Sequence, residues 1–229
     1  RDIETLNLEL QVKDLESVEK KIDRLSKVAK SGDTDVKHGI GVLEQFRDHL
    51  ENFGNARSLE ISGPDRNVVD DLFLLTEKPV LYVCNVDDAS AVSGNGYVEK
   101  VRKYLAGDGA DRDAGVLVLA AKLESEIAEL EDETDRKAFL EDAGLEEPGV
   151  NKLVRSAYSM LNLISFFTVG PKEIRAWTIR KGALAPEAAG AIHSDLQRGF
   201  IRAEVMKYED FITLGSEQAC RDKGKFHVE

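Results

Sequence analysis

Pro79-Val-Leu-Tyr-Val-Cys84, followed at once by Asn85-Val86-Asp87-Asp88, decides the fold. The first part is a continuous apolar run rich in β-branched and aromatic residues, which suits a strand covered on both faces. A second such run, Gly115-Val-Leu-Val-Leu-Ala-Ala121, ends beside Lys122. Between them Tyr97, Val98, Val101, Tyr104 and Leu105 recur at helical spacing, and Glu124–Leu130 and Glu133–Leu140 read as helices. Strand, helix, strand, helix with apolar strands argues for βαβ units in a parallel sheet. Two strands make a poor sheet, so its remainder is expected from residues before Arg1. Val68–Leu75 reads as a short helix, and Val150–Leu161 as one leading to a domain boundary.

Upstream, Leu8, Val12, Leu15, Val18, Ile22, Leu25 and Val28 recur at spacings of three or four. Ser31-Gly32-Asp33 breaks this pattern, and Val36, Ile40, Leu43, Phe46, Leu50 and Phe53 resume it up to Gly54. Two helices of roughly 20 residues, about 30 Å each at ~1.5 Å per residue, are expected to form an antiparallel hairpin over residues 6–54. Either it projects as a short coiled-coil arm, or both helices pack on a globular core.

The 229 residues carry 31 Lys+Arg and 43 Asp+Glu, a formal charge of −12, which excludes a globally basic nucleic-acid binder. Residues 162–229 hold 10 of the basic and 9 of the acidic residues, leaving 21 and 34 for residues 1–161. The shift marks a boundary near Leu161, between residues 64–161 of an acidic α/β body and a near-neutral module. In that module Ser165–Val169 and Ile174–Ile179 flank Gly170-Pro171 as a hairpin. Pro186–Ser194 and Ser216–Lys223 read as helices and Phe200–Met206 as a third strand. A mixed sheet wrapped on a helix, a β-grasp-like α+β module, is the expectation.

Chemistry is expected at the strand ends, where open α/β sheets bind ligands. Asn85 offers an amide that donates and accepts, and Asp88, three residues on, a carboxylate that accepts from a purine edge. Ala120 and Ala121 have two open readings: small residues letting backbone N–H groups approach a base, or tight strand–helix packing. In the C-terminal module Arg175, Arg180, Lys181, Arg198, Arg202 and Lys207 interleave with Trp177, His193, Phe200 and Tyr208. That composition suits RNA phosphates and stacked bases, or an ordinary surface around a core.

Other chemistries are excluded by motif. The chain has no G-x-x-x-x-G-K-[ST] phosphate loop, so alone it is not expected to hydrolyse nucleotide. Its four histidines show no metal-ligand spacing, and there is no G-x-S-x-G elbow. Cys84 and Cys220 form no C-x-x-C; Cys84 reads as a core thiol. The acidic run Glu124–Glu133 reads as a solvated helix face. No apolar run approaches the ~20 residues of a membrane span, no signal peptide is visible, and a reduced cytoplasmic setting is expected.

Two long stretches carry a family resemblance. Val169-Gly-Pro-Lys-Glu-Ile-Arg-Ala-Trp-Thr-Ile-Arg-Lys-Gly182 and Ala185-Pro-Glu-Ala-Ala-Gly-Ala-Ile-His-Ser-Asp-Leu-Gln-Arg-Gly-Phe-Ile-Arg-Ala-Glu-Val205 closely resemble the TGS module of the Obg-like ATPase (YchF-type) family. Lys78-Pro-Val-Leu-Tyr-Val-Cys-Asn-Val-Asp-Asp88 resembles its base-recognition strand, and the helical hairpin its coiled-coil arm. The resemblance implies the C-terminal half of a P-loop nucleotide-binding α/β domain, with the coiled-coil insertion and a TGS domain over residues 162–229. The phosphate loop would precede Arg1, and the last TGS strand would follow Glu229. It further implies ATP as ligand with GTP tolerated, Mg2+ only through residues absent from this chain, and association with ribosomes, through ribosomal RNA, tRNA or protein. Asn85, Val86 and Asp88 would form the base pocket, with Ala120 and Ala121 in the adjoining loop. Two departures stand out: Asp88 replaces the family's usual Glu, and Val86 replaces the Lys of guanine-specific Asn-Lys-x-Asp loops. The rival expectation is a non-catalytic RNA- or protein-binding scaffold formed by arm and TGS module.

Overall fold

A computed structural model describes residues 1–28, 34–107, 114–170 and 173–229. The turn expected at Ser31-Gly32-Asp33 and the Pro171 of the Gly-Pro turn lie outside these residues. The protein combines α and β structure with small sheets in two compact units, Arg1–Ser156 and Ala157–Glu229.

In the first unit, helices α1 (Asp2–Val28) and α2 (Thr34–Glu51) pack on each other. Their apolar stripes meet as expected: Val18 of α1 lies against Val42, Leu43, Phe46 and Leu50 of α2. The same cluster takes in Ala56, Val69 and Leu74, from the segment holding α3 (Gly63–Arg66) and the 3-10 turn Asn67–Leu72. Thus the later part of the helix pair is packed by the chain that follows it. The start of α1 leaves Leu6, Leu8, Leu10 and Val12 exposed.

Polar groups of α1 clasp that following segment. Asp14 is buried, and its carboxylate accepts from the Leu75 N–H, the Thr76 N–H and the Thr76 hydroxyl, each at 2.7 Å. Buried Gln11 donates to the Phe53 carbonyl at 3.0 Å and to Asn55 Oδ1 at 2.9 Å. Lys21 donates to the Val68 carbonyl at 2.6 Å and pairs with Asp71, whose carboxyl that bond holds below its ordinary value.

The helix α2 closes just before Gly54, where the periodic pattern was expected to end. Phe53, not Gly54, takes the left-handed conformation, with φ of 62°. The Gly54 N–H reaches the His49 carbonyl and the Phe53 N–H that of Leu50, a Schellman closure. Gly54 answers a different demand: a Cβ there would stand 2.3 Å from His49 Nε2.

The βαβ unit forms as read. Strands β1 (Leu81–Asn85) and β2 (Gly115–Leu119) pair in parallel, with Asn85 opposite Leu119, and α4 (Gly96–Leu105) lies between them in sequence. The strands are not covered on both faces: Val83 is 43% exposed and Cys84 only half-buried. Among the described residues each has the other as its sole strand partner. Helices α5 (Ala121–Glu129) and α6 (Glu133–Asp142) join Ala120, Leu123, Ile127 and Leu140 into a second cluster. Glu124, expected on a solvated face, instead accepts from Gly149 N–H at 2.6 Å and Val150 N–H at 3.1 Å, capping α7 (Gly149–Met160).

In the second unit, β3 (Leu163–Val169) and β4 (Ile174–Arg180) form the expected antiparallel hairpin. Helices α8 (Ala185–Ile192) and α9 (Ser194–Arg198) follow, packed on each other. The third strand is shorter than expected: β5 spans only Glu204–Met206, and Ile201 is 89% exposed. It pairs antiparallel with β6 (Phe226–Val228), beyond helices α10 (Tyr208–Leu214) and α11 (Glu217–Asp222). Two antiparallel ribbons therefore stand where a mixed sheet was expected.

Phe46→Ala is expected to destabilise the first unit by about 3–5 kcal/mol, read as a lower urea midpoint. Phe53→Gly relieves a left-handed side chain that is 73% exposed, so little burial is lost. A gain of about 1 kcal/mol is expected in the same titration.

Candidate functional site

The loops leaving β1 and β2 are held side by side. Asn85 Oδ1 accepts the Ala121 N–H at 3.0 Å, and the Val86 N–H reaches the Leu119 carbonyl at 2.9 Å. Parallel pairing makes this possible, because it brings both carboxyl ends to one edge. Asp87 then shapes the first loop: its carboxylate accepts the Ser90 N–H at 3.0 Å, capping the 3-10 turn Asp88–Ser90. Asp87 thereby stays with its own backbone while Asp88 is carried outward, its side chain 43% exposed.

Ala120 and Ala121 divide the two readings between them. Ala120 is buried in the Leu123–Ile127–Leu140 cluster and serves packing. Ala121 is exposed and supplies the N–H that anchors Asn85. Val86 is half-buried against the Ala120 cluster, so its side chain steadies the loop from below. Lys122, the last residue of the Ala-Ala-Lys stretch that follows β2, reaches towards the first loop, its Nζ 3.4 Å from Asp88 Oδ2 and 3.5 Å from Glu126 Oε1. The Asp88 carboxylate, with Glu126 behind it, holds this ammonium above its ordinary value. Asn85, Asp88, Ala121 and Lys122 thus meet at one edge, offering an amide, a carboxylate, a backbone helix start and a cation.

Among the basic residues of the second unit, Arg175 and Arg180 sit opposite Thr168 and Leu163, near the two ends of the hairpin. An odd separation along a strand also sends their side chains to opposite faces. Arg175 lies over the Trp177 ring, 4.3 Å from its centroid, while the Trp177 indole donates to Thr168 Oγ1 at 2.9 Å. Arg198 is close to Asp195, at 3.8 Å. Lys181 follows β4, its N–H on the Asn162 carbonyl, and Arg202 and Lys207 flank β5. Arg175 and Arg180 therefore do not share a face of the hairpin.

A parallel βαβ unit with converging strand-exit loops, followed by a small α+β unit, is the architecture of an α/β protein with an appended module. Comparison with known proteins narrows this. Residues 163–229 match the YchF-GTPase_C family, described as a protein of unknown function (DUF933). The whole chain is 46% identical to the ribosome-binding ATPase YchF of Bacillus subtilis and 44% to that of Escherichia coli O157:H7. The solved YchF GTPase of Schizosaccharomyces pombe is 30% identical and superimposes with a TM-score of 0.88 over the full chain. The chain spans 62% and 61% of those two relatives and 61% of the solved chain. Over its whole length the chain is similar to proteins of the YchF family.

Removing the loop bridge should be visible at its donor, the Ala121 N–H. Asn85→Ala is expected to raise the exchange rate of the Ala121 amide about fivefold, the equivalent of one net hydrogen bond of ~1 kcal/mol. Amide hydrogen exchange reads this, and an unchanged rate would show that the bridge does not hold the loop.

Proposed function

We propose that this chain carries the base-recognising part of a ribosome-associated nucleotide switch that binds and hydrolyses ATP, with GTP tolerated. The bridge from Asn85 to Ala121 carries the reading, because it dictates what the site has left to offer. With Oδ1 engaged, the Asn85 amide presents its N–H groups, which suit purine N7, an acceptor common to adenine and guanine. The exposed Asp88 carboxylate accepts from amino and ring N–H groups farther along the base. Val86 and Ala120 hold the two loops from beneath. Relatives named as ribosome-binding ATPases support this assignment.

The base end of a nucleotide fits these residues; its phosphates do not. The 229 residues contain no phosphate-loop motif, so triphosphate, Mg2+ and hydrolysis are assigned to parts of the longer relatives outside the stretch matched here. In this reading residues 6–54 are a coiled-coil arm and residues 64–161 belong to the nucleotide-binding domain. Residues 162–229 are a TGS domain of β-grasp type. Arg175, Arg180, Lys181, Arg198, Arg202 and Lys207 supply cations for the phosphates of ribosomal RNA or tRNA. A ribosome partner places the protein in the cytoplasm.

Competition against a fluorescent ATP analogue on the intact natural protein is the test. ATP should displace the probe at lower concentration than GTP, and Asp88→Ala should weaken ATP by about tenfold or more, as for a lost hydrogen bond to a charged group. Failure of every purine nucleotide to compete would overturn the base reading. Sedimentation with ribosomes at low salt, diminishing as salt rises, tests the partner.

A further inference from the structure

Resting on that base site, we propose that Lys122 is its specificity-determining residue, the group that admits adenine beside Asp88. Conventional helix stabilisation at this position comes from Glu126, one turn on, at 3.5 Å. Lys122 is the second residue of α5, where the helix dipole disfavours a cation. Its side chain is 75% exposed, and exposed ion pairs contribute little to folding. Yet its ammonium is set within 3.4 Å of Asp88 Oδ2, one residue after the N–H that anchors Asn85.

The pair changes which purine edge fits. Asp88 alone presents only acceptors. That suits guanine, whose N1–H and N2 amino groups both donate, and it sets a carboxylate against the lone pair of adenine N1. With Lys122 beside it, the site presents an acceptor and a donor together. Adenine meets these with its N6 amino group and N1, and guanine meets them with N1–H and O6. A Lys–Asp pair therefore takes both purines, whereas Asp alone selects guanine. Asn85, facing an N7 that both bases share, does not discriminate.

The test uses the intact natural protein with ATP and GTP as competitors against one fluorescent nucleotide. Lys122→Met should weaken ATP about tenfold or more, the usual effect of losing a charge-assisted hydrogen bond. GTP should change by less than about threefold, so the ATP:GTP affinity ratio falls about tenfold. Lys122→Arg, which keeps a cationic donor, should hold ATP within about threefold of the unsubstituted protein. Equal shifts for both nucleotides in Lys122→Met, or none, would overturn this role while leaving the base site standing. Absence of purine binding in the unsubstituted protein, or indifference to Asp88→Ala, would remove the base site and this inference together.

Discussion

The Asp14 carboxylate is the constraint from which the first unit follows. Taking an ionised group out of water is expensive unless its lone pairs find donors. Asp14 finds three, all on Leu75 and Thr76, six and five residues ahead of β1. Thr76 also accepts the Ala56 N–H at 2.9 Å, and its carbonyl accepts from Arg57. The helix α1 therefore cannot slide along its axis without stripping donors from a buried charge. The segment entering β1 is fixed in direction before the strand begins. Where β1 ends, and hence where Asn85 and Asp88 emerge, follows from that anchoring.

At the other end of β1 the economy of side-chain use is informative. Of four consecutive residues, Asn85 ties two loops together, Val86 packs inward, Asp87 caps its own turn, and Asp88 is left to face Lys122 across the loops. A loop in which three residues are committed to its shape holds the fourth at a defined place. Such preorganisation lets a single carboxylate discriminate between ligand edges instead of following them.

How much of this was legible depended on the range of the signal. The long helices and the paired apolar strands repeat their pattern over many residues, so α1, α2, β1, β2 and the β3–β4 hairpin could be read directly. The exit loop 85–88 was legible as a loop because it follows a strand whose apolar character is unambiguous. Asp14 and Gln11 were not, because they sit among the polar residues of an amphipathic helix while their partners lie 61 and 44 positions away. Glu124 was hidden in an acidic run for the same reason, its partners being 25 and 26 residues on. The β5 and β6 strands have three residues each, too few for alternation to register, and α10 begins at Lys207 without a side-chain cap. The strand pair β1–β2 misled in one respect: apolar composition promised two covered faces, but composition does not say what does the covering.

That strand pair has a consequence for handling the molecule. All strands among the described residues occur in twos, so each has a strand neighbour on one edge only. Unpaired ladders are templates on which another extended peptide can zip, and Val83 adds an apolar surface beside one of them. A preparation limited to these 229 residues would carry adhesive edges, and association between copies in concentrated solution would be a property of its sheet architecture, independent of any ligand it binds.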